Sequence, residues 1–240
     1  MSDRKTSFLY NIATLYIAAH AIECFTYGTK IGTILFLNLK INDQSVYWIE
    51  KALGISLLIY AITLRIKKDI NLFIYFGFWP LLKSIAIMIS GGAFASQYIL
   101  IPHLSRYLTH FSFALKEKQT RDLIRIGLAV TFIGHGVEAV MNNPIFSDYI
   151  YTFYEWLGVE ISDASVRHQL LFIGIMDIIV GTLYLAFSWK VLHIYIGCWG
   201  FITAFYRIPY YGLYGIVEVL LRIYHFAIPW YLAWCDGDQE

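Results

Sequence analysis

Runs of about twenty apolar residues recur along the whole chain, and about twenty is the length at which a helix crosses the hydrocarbon of a bilayer. Eight such runs are read at 8–27, 46–65, 70–90, 94–114, 123–142, 167–188, 190–209 and 211–234. Lipid offers no partners to backbone N–H and C=O groups, so each run is expected to be a helix that satisfies them internally. Composition agrees: 58% of the 240 residues are hydrophobic and 15% are charged, against roughly a quarter charged in soluble domains. No polar stretch between the runs is long enough to build a soluble domain. The expected fold class is therefore all-α, a polytopic membrane helical bundle of about eight transmembrane helices, with the lipid bilayer as its first partner.

The basic residues orient this bundle. Arg4 and Lys5 precede the first run, Arg65, Lys67 and Lys68 follow the second, Lys116, Lys118, Arg121 and Arg125 lie between the fourth and fifth, and Lys190 follows the sixth. All fall on one side, which by the positive-inside rule is the cytoplasm. The expectation is a multi-pass protein of the plasma (inner) membrane with both termini cytoplasmic. The opposite connection, 143–166, carries Asp148, Glu155, Glu160 and Asp163. The connection 91–93 is so short that Gly91-Gly92 must form a tight turn. Two half-polar aromatic segments, 31–39 and 149–157, are expected as short helices at the outer surface. The start leads straight into the first run without a cleavage site, so that run is expected to stay in the chain. Cys24, Cys198 and Cys235 form no C-x-x-C pair, which argues against a dithiol relay.

Two of the runs carry the same ionisable pair. His20 and Glu23 sit in one, His135 and Glu138 in the other, and a spacing of three puts both members on one helix face. Other matches occur in the same order. Ser45-Val46 and Gly54 match Ser165-Val166 and Gly174, Gly77-Phe-Trp79 matches Gly197-Cys-Trp199, and Arg106 to Phe111 loosely parallels Arg222 to Phe226. The chain therefore reads as an internal repeat of two four-helix units, 1–118 and 119–240. An even number of crossings gives both units the same orientation, so the expected relation is an axis along the membrane normal.

The motifs Arg125-Ile-Gly-Leu, Phe132-Ile-Gly-His-Gly136 and Gly174-Ile-Met-Asp-Ile-Ile-Val-Gly-Thr-Leu-Tyr-Leu185, with an aromatic segment ending near Leu157, resemble the DoxX-like family of small four-span membrane proteins. The resemblance covers 125–188 closely and 8–66 more loosely. It implies a four-helix unit, here present twice. It also implies oxidoreductase-associated work, since the family includes the small subunit of a thiosulfate:quinone oxidoreductase and partners of membrane thiol-redox systems, beside membrane chaperones. An acidic residue in the second span is common in the family, and Asp177 matches it; the first unit has Leu57 there.

Charged side chains in lipid are costly, so these groups are expected to face the interior and pair. At ~1.5 Å of rise per residue, His20, Glu23, His135, Glu138, Lys83 and Arg207 fall in the outer half, with Glu50, His168 and Glu218. Asp177 and His103 fall near the middle; Arg106, Arg222, His110 and His225 fall from the middle inward. Three readings follow for an outer-half pocket of His20, Glu23, His135 and Glu138 with Lys83, Arg207 and Asp177 as neighbours. The two pairs can supply a metal with two imidazoles and two carboxylates, Glu50 or Glu218 adding a third, though with an order reversed from that of di-iron bundles. Haem between His110 and His225 is a variant; no C-x-x-C-H exists for covalent haem. The pocket can instead hold a quinone or a small sulfur compound among aromatic walls, a His beside a carboxylate passing a proton, with a redox partner protein. Finally, Glu23–Lys83 and Glu138–Arg207 can be structural ion pairs, and the protein a non-enzymatic transporter or membrane chaperone. Nothing points to nucleic acid, a nucleotide, or a serine or cysteine nucleophile.

Overall fold

A computed structural model of the protein describes residues 3–236, and among these there is no strand. In chain order the helices are α1 (Asp3–Thr26), α2 (Lys30–Leu37), α3 (Asp43–Lys67), α4 (Ile70–Phe76), α5 (Phe78–Ser90), α6 (Leu104–Ser112), α7 (Glu117–Val140), α8 (Pro144–Trp156), α9 (Asp163–Ala186), α10 (Lys190–Phe205), α11 (Arg207–Tyr211), α12 (Tyr214–Leu220) and α13 (Ile223–Asp236), with a 3-10 turn at Ser96–Tyr98 between α5 and α6. The expected all-α bundle is present. Five segments are long and apolar enough to cross a membrane: Arg4–Leu37, Ile70–Ser90, Glu117–Val140, Asp163–Ala186 and Lys190–Tyr211. The pair α12 and α13, bent by 42°, makes a sixth if it counts as one crossing.

This differs from eight continuous spans. The run 94–114 holds only the 3-10 turn and the nine-residue α6, which at ~1.5 Å per residue spans under half of a ~30 Å core. Its polar Ser96, Gln97, His103 and Arg106, with Pro102, explain the break. Helix α3 is long enough at 25 residues, yet Glu50 and Lys51 lie in its first half and Arg65 and Lys67 in its last turn, and it is not among the apolar crossings.

Proline sets where the other long segments break. A proline ring clashes with the carbonyl four residues earlier. For Pro80 that is Phe76, the last residue of α4, and for Pro209 it is Phe205, the last residue of α10. The turn after α5 uses Gly91 and Gly92 at φ of +67° and +76°, a region open to glycine at little cost. Helices α3 and α9 begin alike: Asn42 Oδ1 accepts from Ser45 N–H at 2.8 Å, and Ser162 Oγ from Ser165 N–H at 3.3 Å. The two aromatic segments are short helices, α2 and α8, as their composition predicts.

Packing is tightest where side chains vanish. A Cβ on Gly136 of α7 would lie 2.7 Å from Gly174 O, and one on Gly174 of α9 would lie 2.6 Å from Gly136 O. The backbones therefore touch, in the manner of small-residue crossings in membranes. Helix α1 packs along α3 through a side chain instead, the Phe25 ring seated against Gly54. The halves interlock: α6 packs along α7, while α12 and α13 pack on α1. One core joins them, including Tyr16, Ile17 and Phe73 from the first half and Leu128, Ile196, Tyr224 and Ile228 from the second. Lys5 Nζ donates to Trp234 O at 3.3 Å, so the beginning of α1 and the end of α13 lie at one end of the bundle.

Candidate functional site

Both His-x-x-Glu pairs close within their own helices. His20 Nδ1 lies 3.1 Å from Glu23 Oε2, and His135 Nδ1 lies 2.9 Å from Glu138 Oε2. Helical spacing alone brings these atoms together. What surrounds each pair differs.

Around the first pair the cluster is closed by a cation. Lys83 of α5 donates to Glu23 Oε2 and also lies 3.2 Å from His20 Nδ1. His20 and Glu23 are buried. The His20 ring meets Tyr16 edge-on at 4.6 Å. The expected Glu23–Lys83 ion pair is therefore formed.

The second pair borders a cavity. A space of about 860 Å³, counting its open mouth, lies among α7, α8, α9, α10, α11 and α13, with Arg222 at the bend between α12 and α13. Its walls include Phe132, Phe146, Tyr149, Ile150, Leu170, Trp199 and Tyr206. Its polar lining is His135, Gln169, Asp177, Thr203, Arg207, Arg222 and His225. The His135 and His225 rings lie 5.7 Å apart. Of the seven residues expected to share a pocket, His135, Asp177 and Arg207 line this cavity. Glu138 reaches it only through His135, and His20, Glu23 and Lys83 form their own cluster.

Several expectations are corrected here. No hydrogen bond or ion pair joins His20 and Glu23 to His135 and Glu138, and no group of three or more His, Cys, Asp or Glu among the described residues is arranged to hold a metal ion. Each imidazole is held by its own carboxylate, and Lys83 occupies Glu23, so the four-ligand metal set is not assembled. Glu50 cannot extend it: its Oε1 accepts from Thr29 N–H at 2.6 Å and Thr29 Oγ1 at 2.9 Å, fixing the start of α2. Glu218 accepts from Tyr27 Oη at 2.8 Å and Arg222 Nη1 at 3.0 Å, tying α12 to the end of α1. His110 has both ring nitrogens engaged, Nδ1 with Phe73 O at 2.7 Å and Nε2 with Tyr224 Oη at 2.8 Å, so it has none left for haem. His103 Nδ1 is held by Ser84 Oγ at 3.0 Å, and His168 is exposed. Glu138 does not pair with Arg207. The guanidinium instead donates to Thr203 O at 2.6 Å and lies 4.8 Å over the Tyr149 ring.

Arg222 and His225 are cavity-lining residues that depth counting misplaces. The bend between α12 and α13, at Leu221-Arg222, returns them to the level of His135 and Arg207. Pro229 frees the His225 carbonyl, four residues earlier in α13, and Gly200 packs directly against it. Arg207 Nε, Arg222 Nε and His225 Nε2 are buried with no protein partner. Asp177 is already used, accepting from Trp199 Nε1 at 2.7 Å. Three of the cavity's lining residues thus keep an unpartnered buried nitrogen, N–H donors at the two arginines and a donor or acceptor at His225 according to its tautomer. On the connection outside the long helices, Tyr151 Oη donates to Asp163 Oδ1 at 2.6 Å, which raises the tyrosine pKa by disfavouring its ionised form and pins α8 to the start of α9.

No family model, curated protein or solved structure matches the chain.

The Asp177–Trp199 bond gives a first prediction. Asp177→Leu leaves the part-buried indole N–H without its acceptor and is expected to cost about 1 kcal/mol, whereas Asp177→Asn keeps an acceptor in place and costs little. Thermal unfolding midpoints in detergent compare the two; equal midpoints for both variants would show that the bond carries no stability.

Proposed function

We propose that the protein is a plasma-membrane binding subunit that holds a quinone-type ligand in the α7–α13 cavity, alongside a redox partner protein that supplies the electrons. The observation that carries this reading is the pairing of unsatisfied donors with aromatic walls. Quinone oxygens only accept hydrogen bonds; Arg207 Nε and Arg222 Nε are buried donors without partners, and His225 Nε2 joins them when it carries the ring proton. Phe132, Phe146, Tyr149 and Tyr206 can clasp the ring, and an aromatic lining with a few polar groups is typical of small-molecule sites. His135, oriented by Glu138, is placed to pass a proton to a bound oxygen. The first pair then serves structure, because Lys83 closes it.

The same reading takes the chain as two DoxX-like four-helix units, with both termini in the cytoplasm and eight segments in the membrane. In support, the order long helix, short surface helix, long helix, proline-broken helix, short or bent final segment occurs twice. A further support is an apparent defect. Trp199 Nε1 donates to Asp177, while Trp79 Nε1, the matching residue 120 earlier, is buried with no partner. Leu57 stands in the position that corresponds to Asp177, so the indole keeps its place and loses its acceptor.

The test is titration of purified protein in detergent with a short-tailed benzoquinone, read by quenching of Trp199 emission, with Trp199→Phe as the spectral control. Saturable quenching is expected, weakened roughly tenfold or more by Arg207→Leu together with His225→Leu, each lost donor being worth about 1 kcal/mol or more. Equal quenching of the wild type and the double variant would end the proposal. The transporter reading would gain from ligand exchange across liposomes without a redox partner.

A further inference from the structure

Arg106 of α6 stands where the two halves of the chain meet: α6 packs along α7 and touches α13, while α12 packs on α1. A guanidinium keeps its charge at any working pH. The residue as a whole is half-buried, but Nε and Nη2 at its tip are enclosed and have no hydrogen-bond partner. Among the described residues no ion pair joins Arg106 to an acid. Enclosing a charge without a partner is costly.

The surroundings raise that cost. Arg222, at the bend between α12 and α13, is close enough for the two guanidinium charges to repel each other. Its own Nε is likewise buried and unpartnered. The carboxylates whose charge reaches Arg106 are Glu218 and Glu23, and both are engaged. Glu218 accepts from Tyr27 and Arg222, and Glu23 holds Lys83 and His20. A third unpartnered group faces the two arginines. Tyr16 Oη of α1 is fully buried without a hydrogen bond and lies within electrostatic reach of both. Helices α1 and α6 and the α12–α13 bend therefore each bring an unsatisfied donor to one neighbourhood, two of the three carrying positive charge.

We propose that a small inorganic monoanion, with chloride as the simplest case, is bound among Arg106, Arg222 and Tyr16 and neutralises the contact between the two halves. Water can accept from these donors, but it brings no charge; an anion satisfies the donors and cancels the repulsion together. A spherical ion suits donors that arrive from three different elements. A single negative charge fits better than two, because Glu23 and Glu218 are near enough to repel the ion. The proposal does not rest on what the α7–α13 cavity holds, since neither Arg106 nor Tyr16 lines it.

The test uses full-length protein purified in detergent with gluconate in place of chloride, then titrated with chloride at constant ionic strength so that general screening stays fixed. Wild type is expected to bind radiolabelled chloride saturably and to gain thermal stability along the same curve. Arg106→Gln is expected to weaken binding roughly tenfold or more, and Tyr16→Phe about fivefold, since a charged donor contributes more than a neutral one. Arg106→Gln should also lose most of the difference in unfolding midpoint between chloride and gluconate, because it has no charge left to neutralise. If Arg106→Gln does not fold, Tyr16→Phe makes the same comparison. As a control for surface charge, Lys67→Gln with Lys68→Gln removes two cations elsewhere and should leave binding unchanged. Wild type that binds no chloride saturably, undiminished binding in the Arg106 and Tyr16 variants, or equal loss in the surface control overturns the proposal. Stabilisation by sulfate equal to that by chloride overturns the monoanion assignment.

Discussion

Glu23→Ala is expected to be among the most damaging single substitutions in the protein, costing about 3–5 kcal/mol, because removing one partner of a buried ion pair leaves the other charge uncompensated. The stranded group is Lys83, whose side chain is only 12% exposed and whose ammonium reaches Glu23 Oε2 and His20 Nδ1. The effect belongs to the unpaired charge rather than to the pair itself. Glu23→Leu combined with Lys83→Met should therefore recover most of the loss, since well-packed apolar substitutes for a buried pair are often neutral. Thermal unfolding in detergent of wild type, Glu23→Ala, Lys83→Met and the double variant makes the complete comparison. A double variant as unstable as Glu23→Ala would show that the pair contributes more than mutual neutralisation. His135→Ala should be milder, because His135 itself borders the cavity and no cation closes its pair with Glu138.

Gly136→Ala and Gly174→Ala are expected to destabilise strongly, against the helix preference that normally favours alanine over glycine by about 0.8–1.0 kcal/mol. The added methyl at either site meets backbone carbonyl oxygen of the opposite helix, at 2.7 Å from Gly136 and 2.6 Å from Gly174. Backbone cannot turn aside as a side chain can, so α7 and α9 must separate. Overpacking of this kind costs about 1–3 kcal/mol, which exceeds the propensity gain, and Gly136→Val adds bulk without that gain. Gly127→Ala on the same helix is the control. Its methyl would meet Leu108 Cδ2 at 3.3 Å, the far end of a flexible side chain, so the expected result is near-neutral or slightly stabilising. Unfolding midpoints rank the three alanine variants; Gly127→Ala as harmful as Gly136→Ala would remove the backbone-contact explanation.

Much of the scaffold was legible because its determinants are local. A residue spacing of three guarantees the His20–Glu23 and His135–Glu138 contacts whatever the rest of the chain does. Pro80 and Pro209 explain the breaks at Phe76 and Phe205 through a clash within one helical turn, within runs whose apolar content reads as continuous. Gly91-Gly92 fixes a tight turn, and the half-polar aromatic segments become α2 and α8. The apolar runs state the solvent. Reading every run as a whole crossing went too far at 94–114, where apolar content did not outweigh Pro102 and four polar side chains.

What the sequence determined, then, was an all-helical chain suited to lipid and which ionisable residues touch within a helix. The tertiary structure decided which of those pairs is sealed and which is open. Lys83 arrives at Glu23 from a helix some sixty residues away in the chain. Arg207 passes Glu138 by and settles over Tyr149. The bend at Leu221-Arg222 brings Arg222 and His225 to a cavity that a uniform rise per residue would place elsewhere. Contacts between helices depend on bends and on how closely backbones approach, and both arise from the packing of distant segments, which no local spacing encodes.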